Sequence, residues 1–233
     1  MDFIQEMLND EDVLSRYRSI DETNHYASSH GMRHIMGVVS LADKLGKLFD
    51  FTEREMLILK TIEILHDIGQ VGGVRAGHWF RSADFAREYL PKKNIFTDEE
   101  LDIIYSAIET HDEFLDYSKF KTKYSWFAAF IDKLDISKTR LEDNVEEKFG
   151  YINSADIERL DFYLENGVFK IVIRTIENPK VIAPENLYNR NLICKTMTLF
   201  KGFSEHFGLE PRLFLDDEEL DLNKFNHDAM IDR

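Results

Sequence analysis

Residues 52–69 read TEREMLILKTIEILHDIG and predict the helix around which the rest of the fold is arranged. Thr52 followed by Glu55 is typical of a helix N-cap with acidic residues in the first turn. The apolar residues that follow lie at helical spacing, and the segment runs into His66 and Asp67. A charged pair after such an apolar run is costly to bury unless it binds a metal or a partner. The stretch therefore predicts a helix that ends on two polar side chains in a buried position.

The first 150 residues contain further segments in which apolar residues recur at helical spacing. Thr97 and Glu100 resemble a capping box at the start of one of them. The chain has 4 prolines and 11 glycines, which favours long helices over a turn-rich β architecture. We therefore expect helices over residues 31–49, from Trp79 to Leu90, from Thr97 to His111 and from Tyr124 to about Leu141.

The C-terminal third differs from the rest of the chain. Residues 168–174 alternate and are rich in β-branched side chains, which indicates a strand, and Val181-Ile182 could be its short partner. Residues 192–207 return to helical spacing. The fold class is thus mainly α: a helical bundle with a small β-element in the C-terminal third. This β-element is expected to be either a hairpin or a short edge strand. An apolar stripe on the last helix is interpreted as core, with a homodimer face as the alternative: Ile193, Met197, Phe200 and Phe203.

Two regions follow from these patterns. Residues 1–150 are expected to form a helical core, and residues 151–233 a C-terminal extension with a short β-hairpin and an amphipathic helix. A chain of 233 residues suits one large domain, so the extension is expected to pack on the same domain as the core.

Composition excludes several classes of function. The formal net charge of −15 disfavours binding to nucleic acids, because their phosphate backbones are also negative. The single cysteine, Cys194, excludes an intrachain disulfide and a thiolate metal cluster. The sequence has no signal-peptide pattern and no apolar run of about 18 residues, so we expect no membrane span and a cytoplasmic protein.

Imidazole and carboxylate side chains at or near the ends of the predicted helices are the candidates for chemistry. Together they suit first-row divalent metal ions better than calcium. The carboxylate of Asp67 has two oxygens, so it can bridge two ions while His66 binds one. His25 and His30 are interpreted as surface or pocket-rim residues. The candidate metal ligands are His34, His66, Asp67, His78, His111 and Asp132.

The order of these residues resembles the HD-domain metal-dependent phosphohydrolase superfamily. His34 is followed 32 residues later by Leu65-His66-Asp67-Ile68-Gly69, and then by Asp132 in a segment reading FIDKLD. The segments GHWFRSA, with His78, and IETH, with His111, resemble the two extra histidines of binuclear members. The resemblance covers roughly residues 25 to 140.

The resemblance implies an HD-domain helical bundle and a centre with two divalent ions. Iron or manganese is expected, and magnesium, zinc, cobalt and nickel are the alternatives. Its first ion would be bound by His34, His66, Asp67 and Asp132, and its second by Asp67, His78 and His111. A metal-bound water or hydroxide would attack phosphorus, and Asp67 would be the central catalytic residue. The spacing of the six ligands is similar to that of HD-type dinucleoside tetraphosphate hydrolases, while nucleotide monophosphatases and alarmone hydrolases are alternatives.

The substrate side is less well defined by the sequence. The expected partner is a small phosphorylated compound such as a nucleotide, bound by Arg81, Lys133 and Arg140. Gln70 stands where many HD hydrolases have a lysine. It therefore motivates an alternative function, that of a non-catalytic, metal- or nucleotide-binding regulatory protein with the HD fold.

Overall fold

The computed structural model of the chain describes residues 2–113, 116–143, 146, 153–180, 182 and 191–225. Contacts divide the chain into two compact units, Met1–Asp132 and Lys133–Arg233. Helices predominate, and a small sheet lies in the C-terminal third, which confirms a mainly α chain with a late β-element. A domain boundary at residue 150 stays a prediction, because residues 147–152 lie outside the described part.

The first unit is built from helices with short connections. Those of its described part are α1 (Phe3–Leu8), α2 (Glu11–Thr23), α3 (Met32–Leu48), α4 (Glu53–Leu65), α5 (His78–Tyr89), α6 (Asp98–Thr110) and α7 (Lys123–Leu134), which continues into the second unit. The predicted helices corresponding to α3, α4, α5 and α6 are confirmed, with ends within a few residues of the expected ones. Among the described residues, no helix has the combination of length and apolar character that crossing a membrane requires.

Capping boxes fix the starts of α4 and α6. Thr52 Oγ1 accepts a hydrogen bond from the backbone of Glu55, and the Glu55 carboxylate accepts one from the backbone of Thr52 at 2.8 Å. Thr97 and Glu100 repeat this arrangement. Each of the two helices has 13 residues, and each is followed by a histidine at its C-cap. The caps therefore fix the starts of the two helices, and a histidine follows the last residue of each.

Buried apolar side chains join the helices of the first unit. Tyr17 of α2 is fully buried, and its hydroxyl donates a hydrogen bond to the carbonyl of Ile64 in the last turn of α4. The ring of Phe127 in α7 contacts those of Phe49 and Phe51. The core thus holds the last turn of α4 in place, immediately before His66.

The end of α7 differs from the prediction, which extended this helix to Leu141. The helix ends at Leu134, and a 3₁₀ turn follows at Lys138–Arg140. The Arg140 guanidinium donates a hydrogen bond to the backbone carbonyl of Asp135 at 3.1 Å. A continuing helix would use such a carbonyl for its own ladder, so the side chain replaces the helical partner there.

The sheet of the second unit is larger than the predicted hairpin. Its strands are β1 (Ile157–Glu165), β2 (Val168–Thr175), β3 (Glu210–Leu215) and β4 (Glu218–Leu220), adjacent in that order. β2 confirms the predicted strand, but its antiparallel partner is β1. Ile182 of the proposed partner lies in no strand, and Val181 is outside the described residues. Asn166 and Gly167 join β1 to β2 with positive φ angles of 51° and 80°, which suit a tight hairpin turn.

A helix connects the parallel strands β2 and β3. This helix, α8 (Asn191–His206), confirms the predicted one, and β3 then pairs with β2 in parallel. The rings of Phe200 and Phe203 lie 5.3 and 6.0 Å from that of Phe169 in β2. The predicted apolar stripe of this helix is buried and belongs to the core, and it consists of Ile193, Met197, Phe200 and Phe203. A homodimer stays a prediction.

The start of α3 depends on a close contact with α2. Asp21 Oδ2 accepts a hydrogen bond from the backbone N–H of Met32 at 3.3 Å, and Asp21 Oδ1 accepts one from Ser29 Oγ at 3.5 Å. A methyl group added to Gly31 would overlap the Asp21 carboxylate. A glycine at this position therefore allows α2 to contact the turn from which His34 emerges.

We expect Gly31→Ala to lower the free energy of unfolding by about 1–3 kcal/mol, because the added methyl must displace the carboxylate of Asp21. Gly46→Ala is the matched control, since its methyl group would overlap only the terminal atoms of the flexible Met56 side chain and would make an ordinary contact with Phe51 Cβ at 3.7 Å. Urea denaturation of both variants measures the difference. Equal midpoints for the two variants would show that the contact with Asp21 is unimportant.

Candidate metal centre

The six predicted ligands come together inside the first unit, although they lie on five separate segments of the chain. His34 is in the first turn of α3, His66 and Asp67 follow α4, His78 begins α5, His111 follows α6, and Asp132 is near the end of α7. All six residues are buried, with at most 4% of their surface exposed. Their donor atoms can therefore act on one another with little screening by solvent.

Two overlapping groups of donor atoms could hold a metal ion. In each group, the donor atoms lie within 4.8 Å of one another. The groups share His66, so the centre is continuous. The first consists of His34, His66 and Asp132, and the second of His66, Asp67 and His111.

The carboxylate of Asp67 lies between two pairs of histidines. Its Oδ2 atom is 3.8 Å from Nε2 of His34 and 3.6 Å from Nε2 of His66. Its Oδ1 atom is 3.0 Å from Nε2 of His78 and 3.7 Å from Nε2 of His111. Each oxygen of Asp67 thus faces a different pair of histidines. Asp132 lies on the side of the first pair, with its Oδ1 atom 3.2 Å from Nε2 of His34.

Three of the histidines are oriented by the same type of backbone hydrogen bond. Their Nδ1 atoms contact carbonyl oxygens three residues earlier: His66 contacts Glu63, His78 contacts Arg75 and His111 contacts Ile108, at 2.9, 2.8 and 2.7 Å. Because a carbonyl only accepts, each Nδ1 carries a proton and donates it. In the neutral ring the lone pair is then on Nε2, which is the arrangement of most histidine ligands to metals.

The Nε2 atoms also show that a cation fits the centre. Those of His34 and His66 are 3.3 Å apart, and those of His78 and His111 are 3.1 Å apart. Two imidazole lone pairs at this distance repel each other unless a proton or a metal ion lies between them. Since imidazole and carboxylate donors suit first-row divalent ions, the residues present fit such an ion.

Burial and charge set the protonation of the central pair. Burial lowers the pKa of His66 to about 4, against the partial opposition of the negative charge of Asp67, so its ring is neutral at neutral pH. Burial would raise the pKa of Asp67. The electrostatic interaction with the His66 ring, which is protonated in the acid range where Asp67 titrates, and hydrogen bonds from His111 and His78 outweigh burial and hold this pKa well below the ordinary value. A neutral imidazole and an ionised carboxylate are the forms that bind metals.

His111 has the opposite tendency. Burial would lower the pKa of its ring, but a hydrogen bond and the charge of Asp67 outweigh burial and raise it. The charges of Asp132 and Asp112 act in the same direction. His111 therefore attracts a proton in the metal-free protein, and binding of a metal must displace that proton.

Glu63 is a buried acid that the sequence pattern did not single out. It is completely buried in α4, and neither carboxyl oxygen has a hydrogen-bond partner among the described residues. Burial, followed by the charges of Asp132 and Asp67, raises its pKa well above the ordinary value. A neutral Glu63 adds no negative charge beside the centre. The available signal was an acidic residue inside an otherwise apolar helical run.

A tight backbone contact places His78 against the centre. The backbone N–H of Gly69 donates to Ser82 Oγ at 2.9 Å. A Cβ atom added to Gly69 would collide with the carbonyl oxygen of His78 and lie 2.6 Å from the backbone nitrogen of Ser82. Gly69 thus allows the segment after Asp67 to touch the first turn of α5.

The predicted substrate-binding residues have partners inside the protein. The Arg81 guanidinium donates hydrogen bonds to the carbonyl oxygens of Gly69, Ala76 and Val74, and so closes the loop before α5. Lys133 and Arg140 belong to the second unit and are buried. Roles of these residues in binding a substrate stay predictions. His30, expected at the surface or a pocket rim, is also buried, with its ring 6.3 Å from that of His34.

Comparisons with known proteins do not supply a family for this chain. No protein-family model matches it. A search of curated proteins finds no significant relative. Support for a function therefore comes from the geometry of the centre and from the residues around it.

We expect Gly69→Ala to weaken metal binding by about 10–100-fold, because the first turn of α5 must move and His78 moves with it. Gly72→Ala is the control. Gly72 lies in the same loop and has a φ angle of 72°, so an alanine there strains the loop backbone, but its methyl group would meet nothing within 4 Å. Titration of both metal-free variants with manganese measures the effect. Wild-type affinity in Gly69→Ala would contradict the role assigned to this contact.

The metal-free protein should lose stability as the pH falls from 6.5 towards 4. The pKa of His66 is about 4 in the folded state and 6.5 as the ordinary value, so the unfolded chain binds this proton more readily. The contribution is present above pH 6.5, is lost towards pH 4, and amounts to about 3 kcal/mol. Denaturant unfolding over this range, after treatment with a chelator, should show a steeper pH dependence in wild type than in His66→Gln. The same pH dependence of stability in wild type and His66→Gln would contradict this assignment to His66.

Proposed function

We propose that the chain is an HD-domain metal-dependent phosphohydrolase that acts on a phosphate ester or anhydride, with a nucleotide or dinucleoside polyphosphate as the expected substrate. The observation that carries this proposal is the position of Asp67, which presents one oxygen to each pair of histidines. A carboxylate between two groups of ligands is suited to a centre with two ions. The order of the six residues along the chain agrees with the HD-domain resemblance.

The proposed centre has two overlapping sets of ligands that share Asp67. One set would be His34, His66, Asp67 and Asp132, and the other Asp67, His78 and His111. Iron and manganese are the expected ions, and magnesium, zinc, cobalt and nickel are the alternatives. When bound, such ions lower the pKa of a coordinated water and offset negative charge on phosphate oxygens.

The residues of the chain prepare this site in three ways. Burial of all six ligands removes bulk water, so charges at the centre act at close to full strength. The Nδ1 hydrogen bonds of three histidines fix the directions of their Nε2 lone pairs. The low pKa of Asp67 keeps its carboxylate ionised, so it acts as a ligand without a preceding proton transfer.

Aromatic groups beside the centre support a nucleotide as the substrate. The Tyr26 side chain is 46% exposed, and its ring lies 5.6 Å from that of His30, which in turn lies 6.3 Å from that of His34. The Arg75 guanidinium lies 4.8 Å from the Tyr26 ring. An exposed ring and a guanidinium near a phosphate site can stack on a base and attract the charge of its phosphates.

The overall charge favours a small substrate over a polymer. At −15, the protein repels a long nucleic acid, whose many phosphates cannot all reach the centre. A mononucleotide or dinucleoside polyphosphate brings fewer charges, and metal ions reverse the field locally. We therefore propose a small phosphorylated partner, and neither a nucleic acid nor a membrane.

The proposal is tested by measuring phosphate release from a panel of nucleoside phosphates and dinucleoside polyphosphates, using protein loaded with iron or manganese. We expect turnover by wild type and a loss of about 100-fold or more in Asp67→Ala, because both ligand sets lose a member. The control is Asp102→Ala, which removes an exposed carboxylate of α6 and should retain wild-type turnover.

Metal content of the same samples separates the two functional hypotheses. Absence of turnover by wild-type protein that binds iron or manganese would overturn the hydrolase proposal and favour a non-catalytic binding protein. Full metal content and full activity in Asp67→Ala would overturn the assignment of the centre itself.

A further inference from the structure

Three histidines of the candidate centre are held by backbone carbonyls, and one of these carbonyls lies outside a helix. His66 and His111 contact carbonyls in the last turns of α4 and α6. The partner of His78 is the carbonyl of Arg75, which lies in the loop before α5. Regular helix therefore fixes two of these three rings, whereas the third depends on the shape of a loop.

The loop before α5 lies at the surface. Residues 71–76 are all exposed, so burial of apolar side chains contributes little to holding them. Gly73 and Gly77, which lie on either side of Arg75, have positive φ angles of 74° and 67°. Glycine adopts many backbone conformations, so fixing this loop costs conformational entropy. Polar contacts must therefore supply much of what holds the carbonyl of Arg75 in place.

The Arg81 guanidinium provides such contacts. Its Nη1 atom donates a hydrogen bond to the carbonyl of Ala76 at 2.8 Å, and its Nη2 atom donates one to the carbonyl of Val74. Its Nε atom donates to the carbonyl of Gly69 at 2.8 Å. One planar group with several N–H donors thus joins the segment after Asp67 to the segment before α5.

The carbonyls of Val74 and Ala76 lie on either side of the one that holds His78. That carbonyl, of Arg75, accepts hydrogen bonds from the His78 backbone N–H at 3.0 Å and from Nδ1 of its ring at 2.8 Å. Arg81 binds the peptide units before and after it. Because peptide units are planar and turn only about two dihedral angles per residue, the carbonyl between them has little freedom to rotate.

His78 faces the centre through its other ring nitrogen. Its Nε2 atom is 3.0 Å from Oδ1 of Asp67 and 3.1 Å from Nε2 of His111. A ring that loses its Nδ1 partner can rotate, and its proton can move to Nε2, where it occupies the lone pair that would bind metal. The direction and the tautomer of His78 therefore depend on the loop that Arg81 holds.

We propose that Arg81 is a positioning residue, which acts through the carbonyl of Arg75 to fix the His78 ring for the second ion of the centre. This inference rests on the proposed function, because that ion belongs to the proposed set of Asp67, His78 and His111. The role depends on the geometry of the guanidinium. The substrate-binding role predicted for Arg81 from the sequence depends instead on its charge.

Manganese binding by Arg81→Lys distinguishes these two roles. Lysine keeps the positive charge but lacks the planar fork of donors, so it cannot bind three carbonyls in the same way. We expect the affinity for the second manganese ion to fall by about 10–100-fold, with the first ion bound as in wild type. Calorimetric titration of the metal-free protein measures both affinities. Electron paramagnetic resonance should show isolated manganese ions in the variant and a coupled pair in wild type.

Arg18→Lys is the matched control for this substitution. Arg18 is an exposed arginine of α2 in the same unit, and its guanidinium pairs with Glu11 at the surface. The same chemical change is therefore made away from the loop. This variant should bind both manganese ions with wild-type affinity.

Nuclear magnetic resonance of the His78 ring tests the inference without any metal. In metal-free wild type at mildly alkaline pH, we expect a proton on Nδ1 of His78 that is protected from exchange with water by its bond to Arg75. In Arg81→Lys, this protection should be lost and both tautomers should be populated. His66 is the internal control, because its carbonyl partner lies in α4, and its signal should be unchanged.

The outcomes distinguish this inference from the proposed function. Wild-type affinity for the second manganese ion in Arg81→Lys, or an unchanged His78 signal, would overturn the inference even if hydrolysis is normal. Binding of a single manganese ion by wild type would also overturn it. So would equal loss of protection at His66 and His78, because a general loosening of the fold would then explain the result.

Selective loss of protection at His78, together with weaker binding of the second ion, would support the inference. This holds even if no substrate of the panel is hydrolysed, and the hydrolase proposal alone would then fail.

Discussion

The ionised carboxylate of Asp67, buried among four imidazoles, is the constraint on which the first unit depends. A buried charge is stable only if electrostatic interactions and hydrogen bonds compensate it, and those with His66, His78 and His111 contribute to the low pKa of Asp67. Those histidines lie on separate helices or at their ends, so compensation of one charge requires several helices to converge. The arrangement of the candidate metal ligands and the packing of the bundle are therefore coupled, and metal ions would satisfy the facing Nε2 lone pairs of the two histidine pairs.

The ends of helices allow side chains from several helices to converge on one place. Successive residues in the middle of a helix point about 100° apart and cannot readily serve one ion. His66 and His111 instead follow the last turns of α4 and α6, where the chain is free to turn. Gly69 permits the contact that brings α5 to the same place. Capping boxes at Thr52 and Thr97 fix the starts of those two helices, and each helix ends after 13 residues.

The sequence predicts the helices of the metal centre and its six candidate ligands because both depend on local patterns. Capping boxes and helical spacing are visible in α4 and α6, and the six ligands are chemically distinct from their apolar neighbours. It does not predict β1, because buried and exposed positions do not alternate regularly along that strand. The turn at Asn166-Gly167 was a usable signal for the hairpin. The sequence does not predict the raised pKa of Glu63, because this depends on burial and on the charges of Asp132 and Asp67, which spacing along the chain does not specify.

The helix ends also place partial charges of opposite sign around the candidate centre. α4 and α6 approach with their C-terminal ends, where carbonyl groups carry partial negative charge, whereas α5 approaches with its N-terminal end. The ends of α4 and α6 thus favour positive ions beside His66 and His111, and the end of α5 favours a negative group beside His78, such as the carboxylate of Asp67, whose Oδ1 atom is 3.0 Å from His78 Nε2. A substitution that shifts one helix end would consequently alter which face of the centre attracts cations and which attracts anions, even with every ligand side chain intact.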